Sequence, residues 1–261
     1  MPDAGITMAA DQDHDGVADT TDNCPTVANP DQRNEDGDPF GDACDPCPQH
    51  FSTVSPQPDA DRDMIGDACD PNPGMADKVW QFEGFNGTTV PWSGGGTWVP
   101  AGDHLQVTVV GNSATEDGYL TVPLTGRTID KFNITATILA EQLTGSLGYH
   151  EFGISAYDTT RNKYINCELY KDNQGPILQL FDGITQLNVT RQFAWTTNVA
   201  YTLTMQRQGK TYTCTVVSPD GTQPVAPLSG DSGINPTAGD SVSIWAFGMT
   251  ARFNSVRVVG Q

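Results

Sequence analysis

Three groups of carboxylates with the same internal spacing stand in the first third of the chain. Each group places oxygen-bearing side chains at positions 1, 3, 5, 9 and 12 of a twelve-residue stretch, which is the spacing of a calcium-binding loop. The backbone carbonyl of position 7 adds a ligand in such a loop. The side-chain candidates are Asp11, Asp13, Asp15, Asp19 and Asp22, then Asn34, Asp36, Asp38, Asp42 and Asp45, then Asp59, Asp61, Asp63, Asp67 and Asp70. The carbonyl candidates are Val17, Phe40 and Ile65, and the whole set predicts three or more calcium ions.

These loops are not EF-hand loops. Position 12 is aspartate rather than glutamate, and position 6 is Pro39 in the second loop and Met64 in the third. The flanking segments CPTVANP and CPQHFSTVSP contain too much proline to form the two helices of an EF-hand. A solvated acidic tail would explain one such run, but the same register occurs three times. The sequence therefore predicts a calcium-binding repeat without helices.

The acidic region is built from copies of one unit. The hexapeptide GDACDP occurs at residues 41–46 and again at 66–71, which gives a repeat of about 25 residues. The stretches DQDHDGVADTTDNCP at 11–25, NPDQ at 29–32 and GDACD at 41–45 and 66–70 resemble thrombospondin type 3 repeats over residues 11–73. The resemblance implies a chain wound around a line of calcium ions with almost no hydrophobic core. Asn34 departs from that family, which usually has aspartate there.

Four cysteines lie within the repeats, and they allow three disulfide connectivities. The resemblance implies the pairs Cys24 with Cys44 and Cys47 with Cys69. A zinc or redox pair formed by Cys44 and Cys47 is the rival interpretation, which the absence of a second such pair disfavours. Disulfides would place the protein in an oxidising compartment.

Charge divides the chain near Asp77. Residues 1–77 contain 18 acidic residues against two arginines, a net charge of −16, whereas residues 78–261 contain 14 acidic and 11 basic residues. The first part has too few large apolar residues to fold by hydrophobic burial, so metal and disulfides must hold it together. We expect two domains, a calcium-binding repeat segment at 1–77 and a second domain at 78–261.

Composition also excludes some functions and locations. The acidity of the chain argues against nucleic acid as a partner, and no apolar run is long enough to span a membrane. Residues 1–10 lack the basic start and apolar stretch of a signal peptide, so we expect the mature part of a secreted, extracellular or cell-surface protein.

Residues 78–261 alternate apolar and polar side chains with the period of β-strands. The clearest strands are predicted at 104–110, 131–139, 163–170, 176–181, 200–206, 211–217, 241–247 and 251–259. Turn sequences such as DNQGP, RQGK and SPDG separate them, and no helical pattern competes. About a dozen short strands predict an all-β fold, a two-sheet jelly-roll sandwich preceded by the helix-poor repeat segment.

Two further cysteines lie within predicted strands. Cys167 shares a strand face with Ile165 and Leu169, and Cys214 shares one with Tyr212 and Val216, so both point inward. They either form a bridge or remain two buried thiols, and an exported protein favours the bridge.

The opening WQFEGFNGTTVPWSGGGTWVPAGDHLQV and the closing ARFNSVRVVG resemble the concanavalin A-like (laminin G-like) jelly-roll superfamily. That fold carries lectins, glycosidases and adhesion modules, so the resemblance alone names no function. Thrombospondins also end in such a sandwich directly after their type 3 repeats.

Catalytic motifs are absent from the second part. No Glu-x-Asp-x-x-Glu, Gly-x-Ser-x-Gly or His-Glu-x-x-His motif occurs, so we predict no catalytic residues. The scattered acidic residues are expected to be exposed side chains on strands and turns: Glu151, Asp158, Glu168, Asp172 and Asp182.

Aromatic residues are the candidates for a ligand site. Trp92, Tyr149 and His150 are expected on loops, where they could stack on a sugar ring, whereas Trp245 is expected in the core. The function predicted is an extracellular calcium-binding adhesion module that binds a glycan or a protein. The alternatives are a secreted carbohydrate-active hydrolase and a structural subunit that assembles with like subunits through calcium.

Overall fold

The structure is a computed structural model that describes residues 10–85, 92–112, 118–124, 127, 130–158, 163–183, 187–233 and 241–261. Residues 10–77 form turns and bends, and no helix or strand occurs within that range. Position 4 of each acidic loop has a positive φ, with values of 66° at His14, 72° at Gly37 and 64° at Arg62. This left-handed backbone turns the chain sharply and prevents a regular element from forming across the loop.

Fifteen β-strands follow in the described part of the chain. They are β1 (Lys78–Glu83), β2 (Ser93–Gly95), β3 (Trp98–Pro100), β4 (Leu105–Val109), β5 (Gly118–Pro123), β6 (Lys131–Leu143), β7 (His150–Asp158), β8 (Lys163–Asp172), β9 (Gly175–Phe181), β10 (Asn188–Gln192), β11 (Ala200–Gln208), β12 (Thr211–Val217), β13 (Leu228–Asp231), β14 (Ser241–Phe247) and β15 (Met249–Gly260). Each of the eight segments predicted from the alternation forms a strand. The alternation did not predict β1, β2, β3, β5, β7, β10 and β13. Of these, β2, β3 and β13 have only three or four residues, too few for a clear alternating pattern.

The strands form two antiparallel sheets packed face to face. The eight-stranded sheet has the order β13-β12-β11-β6-β15-β4-β3, and β1 also pairs with β15. The seven-stranded sheet has the order β10-β9-β8-β7-β14-β5-β2. The fold is therefore the all-β sandwich that the sequence predicts, with the helix-poor repeat segment before it.

The hydrophobic core lies between the two sheets. Inward positions of β6 and β8, such as Ile134, Ile138 and Leu169, are fully buried. Cys167 on β8 and Cys214 on β12 are also fully buried, and a disulfide joins them across the core. The prediction that both point inward and bridge the sheets agrees with this arrangement.

The repeat segment has no core of this kind. Within residues 10–77 the buried apolar residues are Cys24, Cys47 and Ile65, and none of them belongs to the cluster between the sheets. Burial of apolar surface therefore contributes little to the folding of this segment. None of the described residues forms a helix long and apolar enough to cross a membrane.

Candidate metal sites and binding groove

The three acidic loops share one pattern of backbone hydrogen bonds. One carboxylate oxygen of position 5 accepts the N–H of position 7 at 2.7–2.8 Å. The aspartate at position 9 accepts the N–H of position 2 at 2.7, 2.9 and 2.8 Å in the three loops. The aspartate at position 12 accepts the N–H two residues later at 2.7, 2.7 and 2.6 Å. Each loop therefore holds its carboxylates in orientation through its own backbone.

Positions 3 and 12 of every loop keep a carboxylate oxygen that is buried and has no hydrogen-bond partner. These atoms are Oδ2 of Asp13, Asp36, Asp22, Asp45 and Asp70, and both oxygens of Asp61. A buried carboxylate oxygen without a partner is costly, because it has lost water and gained nothing in return. Hard cations such as calcium take oxygen ligands of this type, so the residues present fit the metal that the spacing predicts.

The structure brings three carboxylates of each loop together. In the first and third loops these are positions 1, 3 and 5, and in the second they are positions 3, 5 and 12, with ligand atoms within 4.8 Å of one another. The aspartates at position 9, Asp19, Asp42 and Asp67, lie outside these groups and use one oxygen for a backbone N–H. Their role as ligands, and that of the carbonyls of Val17, Phe40 and Ile65, stays a prediction.

Four carboxylates of the second and third loops have a raised pKa. Burial is the main cause, and it raises the pKa of Asp36 and of Asp70 to about 7. Burial likewise raises the pKa of Asp42 and of Asp45 to about 6. Neighbouring carboxylates act in the same direction, because each opposes a second negative charge nearby.

Disulfides join Cys24 to Cys44 and Cys47 to Cys69, the pairs that the resemblance implies. Glycine in GDACDP makes room for them. A Cβ at Gly41 would lie 2.8 Å from Cys24 Sγ, and a Cβ at Gly66 would lie 2.8 Å from Cys47 Sγ. The repeated hexapeptide thus combines predicted calcium ligands, a cysteine and the small residue that lets the bridge pack.

A groove lies on the outer face of the seven-stranded sheet, and its residues are far from the acidic loops in the sequence. Its volume is about 260 Å³, and its walls come from β5, β7, β8 and β14. The lining residues are Tyr119, Glu151, Ser155, Tyr164, Asn166, Ser243 and Trp245. Strand register brings them together, because Trp245 pairs with Tyr119 and with Gly153, and Ser155 pairs with Asn166 and Ser243.

The groove has aromatic walls and a polar floor. Tyr119 and Tyr164 are 42% and 45% exposed, so their rings are accessible at its sides. On the floor, the Ser155 hydroxyl donates a 2.8 Å hydrogen bond to Asn166 Oδ1. Trp245 is buried, and its indole Nε1 has no acceptor. This arrangement suits a ligand that presents apolar faces to the rings and an oxygen atom to the indole N–H.

Gly153 lies in the middle of this floor, between Trp245 and Glu168. A Cβ there would come within 2.3 Å of the Cys167 carbonyl oxygen, so only glycine fits, and its missing side chain leaves the floor open. Glu168 is 2% exposed and its Oε2 has no partner. Burial, and secondarily the Glu151 carboxylate, raise the pKa of Glu168 well above its ordinary value, against a hydrogen bond with Asn166.

The expectation of exposed acidic residues is wrong for Glu168 and Asp182, and Glu151 and Asp172 are only partly exposed. Glu168 and Asp182 are 2% and 3% exposed rather than solvated, because Glu168 lies under the groove and Asp182 accepts the N–H of Leu187. The side chain of Asp158 lies outside the described residues.

Trp92 and Tyr149 lie outside the strands, as expected, whereas His150 does not. His150 begins β7, where its Nδ1 lies 2.6 Å from the Gly248 carbonyl oxygen. The Tyr149 ring stacks on Phe247 at 4.8 Å and on Tyr170 at 6.1 Å between ring centroids. Trp92 is half-buried and packs against the core. These side chains are engaged in packing, and their role in ligand binding stays untested.

Trp245 was expected in the core, and it is buried, yet it faces the groove. The alternation in SVSIWAF already indicates this outward orientation of Trp245. Val242, Ile244 and Ala246 form the inward apolar set, so Trp245 must share the outward face with Ser243.

Comparison with known proteins agrees with both parts of the chain. Residues 9–32 match the family model of the thrombospondin type 3 repeat. No curated protein matches by sequence. Among solved structures, the CBM2 module of the evolved Dit of Lactobacillus casei BL23 phage J-1 is 11% identical, over 70% of this chain and 96% of that one, with a TM-score of 0.56.

Peanut lectin in complex with a nine-residue peptide is 11% identical, over 72% of this chain and 98% of that one, with a TM-score of 0.52. A family 16 glycosyl hydrolase protein from Mycobacterium smegmatis is 10% identical, over 69% and 100% of the two chains, with a TM-score of 0.49. At such identities the first two likenesses show the fold alone. The chain thus carries a thrombospondin type 3 repeat at residues 9–32, followed by a sandwich with the lectin-like jelly-roll fold.

Proposed function

We propose that this chain is an extracellular calcium-binding module that presents a glycan-binding sandwich. In this proposal residues 1–77 are a spacer stiffened by three or more calcium ions, and residues 78–261 form the domain that binds the ligand. The observation that carries the calcium part is the buried, partnerless oxygen at positions 3 and 12 of all three loops. Three disulfides among the six cysteines support an oxidising, extracellular location.

Bound calcium would stabilise the repeat segment, which has a large negative charge and, in its described residues, no hydrophobic core. Its net charge is −16, its buried apolar residues are few, and several of its carboxylates are buried beside one another. Bound cations would offset this repulsion, so their free energy of binding becomes free energy of folding. Without calcium we expect residues 10–77 to unfold, while the sandwich keeps its core between the sheets.

Limited proteolysis and circular dichroism with and without chelator test this expectation. Chelator should expose cleavage sites in the repeats and leave a resistant fragment that starts near Lys78. Asp36→Asn should weaken binding of one ion by at least about tenfold in calorimetry, because it removes a charged ligand. Asp220→Asn, an exposed aspartate outside the loops, is the matched control. Two results would contradict the proposal: unchanged protease resistance of the repeats in chelator, or equal effects of both variants. Either would mean that the acidic residues attract calcium only through their overall charge and do not coordinate it.

The groove on the seven-stranded sheet carries the glycan part of the proposal. Its exposed tyrosines offer apolar faces, and its floor offers hydroxyl and amide groups together with the free N–H of Trp245. A sugar ring presents the complementary surfaces, a face of C–H groups and an edge of hydroxyls. The lectin-like fold of the sandwich is compatible with this use but does not by itself assign it.

A glycan array with the calcium-loaded protein tests the groove. Trp245→Phe keeps an aromatic ring and removes the donor, so binding should weaken by about tenfold, the value of one hydrogen bond in a buried site. Trp80→Phe is the control, since Trp80 lies on β1 of the other sheet. The groove assignment fails if no arrayed glycan binds or if both variants bind like the parent. Release of new reducing ends from a bound glycan would instead support the hydrolase alternative.

A further inference from the structure

The repeat segment lies against the outer face of the eight-stranded sheet. Six side-chain hydrogen bonds join the described residues of the repeats and the sandwich. Gln49 Nε2 donates to Ser255 Oγ at 2.7 Å, and Asn133 Nδ2 donates to the Cys69 carbonyl oxygen at 3.1 Å. Arg257 donates to the Pro46 carbonyl oxygen at 3.2 Å, and Gln208 donates to the Pro71 carbonyl oxygen at 3.4 Å. The sandwich thus recognises the folded backbone of the repeats.

A cavity remains between the two surfaces. Its volume is about 270 Å³, which is large enough to hold several water molecules or a small ligand. The repeats contribute Gln49, His50 and residues 68–70 to its wall. The sheet contributes a grid of polar side chains from β6, β11 and β12, with Thr135, Thr202, Thr204, Gln206, Thr213 and Thr215 among them.

Two amide oxygens at this cavity lack partners. Asn133 and Gln49 are 7% and 9% exposed, both line the cavity, and neither Asn133 Oδ1 nor Gln49 Oε1 accepts a hydrogen bond. Their amide nitrogens are used by Cys69 and Ser255, which decides the orientation of each group. Two acceptors are therefore available to a ligand in the cavity.

The threonines add donors to these acceptors. Thr135 and Thr204, both in the cavity wall, lie 3.1 Å apart between hydroxyl oxygens. One of these hydroxyls donates to the other, so one hydroxyl hydrogen of the pair is left to donate elsewhere. Thr202 is also in the wall and pairs at 3.1 Å with Thr137, which lies outside it. Val217 and Val259 supply an apolar patch in the same wall. The wall also contains two charged side chains of opposite sign, Arg257 and Asp70. Donors, acceptors, a small apolar area and balanced charges together match a polyhydroxylated group without net charge.

We infer that this interface cavity binds a neutral sugar or sugar terminus, at a site separate from the groove and built only when the repeats are folded. The inference rests on the proposed calcium binding, because Gln49, His50 and residues 68–70 form the outer wall. It does not rest on the groove, which lies on the opposite sheet. Binding at the cavity should therefore depend on calcium even though the argument uses no contact between sugar and metal.

Saturation-transfer NMR with a set of neutral mono- and disaccharides tests the inference. The calcium-loaded protein should show contact signals for at least one sugar. Thr204→Val removes one hydroxyl and keeps the shape, so the affinity of that sugar should fall by about tenfold. Thr108→Val is the matched control, because Thr108 forms the same kind of hydroxyl pair with Thr250 on this sheet, outside the cavity. Trp245→Phe should leave the signal unchanged.

Each other outcome contradicts the cavity site. No sugar signal in calcium would mean that the cavity holds water only. Equal effects of Thr204→Val and Thr108→Val would place the sugar elsewhere, and loss of the signal in Trp245→Phe would place it in the groove. A signal that persists after chelation has unfolded the repeats would exclude their wall from the site. Absence of calcium binding in calorimetry is a different result, which contradicts the proposed function itself.

Discussion

Gly41→Ala should loosen the second acidic loop. A Cβ at this position would lie 2.3 Å from Asn23 Oδ1 and 2.8 Å from Cys24 Sγ, whereas ordinary contacts of a Cβ begin near 3.4 Å. Asn23 cannot move aside freely, because its Nδ2 donates to the Gln32 carbonyl oxygen at 3.0 Å and its Oδ1 accepts from Asn29 at 2.7 Å. Either the side chain shifts and loses these bonds, or the disulfide and its backbone shift.

The expected cost follows from these two routes. Overpacking a tight site costs about 1–3 kcal/mol, and a displaced hydrogen bond adds about 1 kcal/mol. Local stability of the loop should therefore fall by about 2–4 kcal/mol, which corresponds to faster amide exchange by about 30-fold to about 1,000-fold. Hydrogen exchange of the calcium-loaded protein, followed by mass spectrometry of peptides from residues 34–50, measures this change.

Gly74→Ala is the matched control in the same segment. No atom lies within 4 Å of a Cβ built at Gly74, and its φ is not positive. Alanine there should stabilise by about 0.4–1 kcal/mol, because it restricts the unfolded chain. The two variants should thus change exchange in opposite directions. Equal exchange near residues 41 and 74 in their respective variants would refute the packing argument.

Two further predictions concern the sandwich. Its stability should fall by about 1.4 kcal/mol per pH unit from about pH 4.5 up to the raised pKa of folded Glu168, because over that range the folded chain keeps a proton that the unfolded chain releases. Glu168→Gln should remove this slope. Chemical unfolding at several pH values measures it, with Asp220→Asn as control, and an unchanged slope would contradict the assignment. Replacing Cys167 and Cys214 together by alanine opens a bridge between residues 47 apart, so unfolding should become easier by about 4 kcal/mol. A double variant as stable as the parent in denaturant would show that core packing alone holds the sheets.

Local spacing was enough to predict the acidic loops and eight of the strands. The positions of Asp13, Asp36 and Asp61 within their loops follow from neighbours a few residues away, so the sequence alone indicates which side chains converge. Strand alternation is equally local, and it placed Cys167 and Cys214 in the core before any sheet order was known. Both arguments depend on the geometry of a short stretch of backbone.

The groove and the interface cavity depended on tertiary structure. Trp245, Gly153 and Glu168 meet because β14, β7 and β8 are neighbours in one register, and sequence alternation says which face a residue occupies but not which strand lies beside it. Glu168 is an example. Alternation along β8 predicts that its side chain points outward, but the neighbouring side chains bury it. The cavity at Asn133 likewise requires the repeats to lie against the sheet, through contacts between residues far apart in the chain. The acidic loops are formed by residues close together in the sequence, whereas the groove and the cavity form only when distant segments pair and pack.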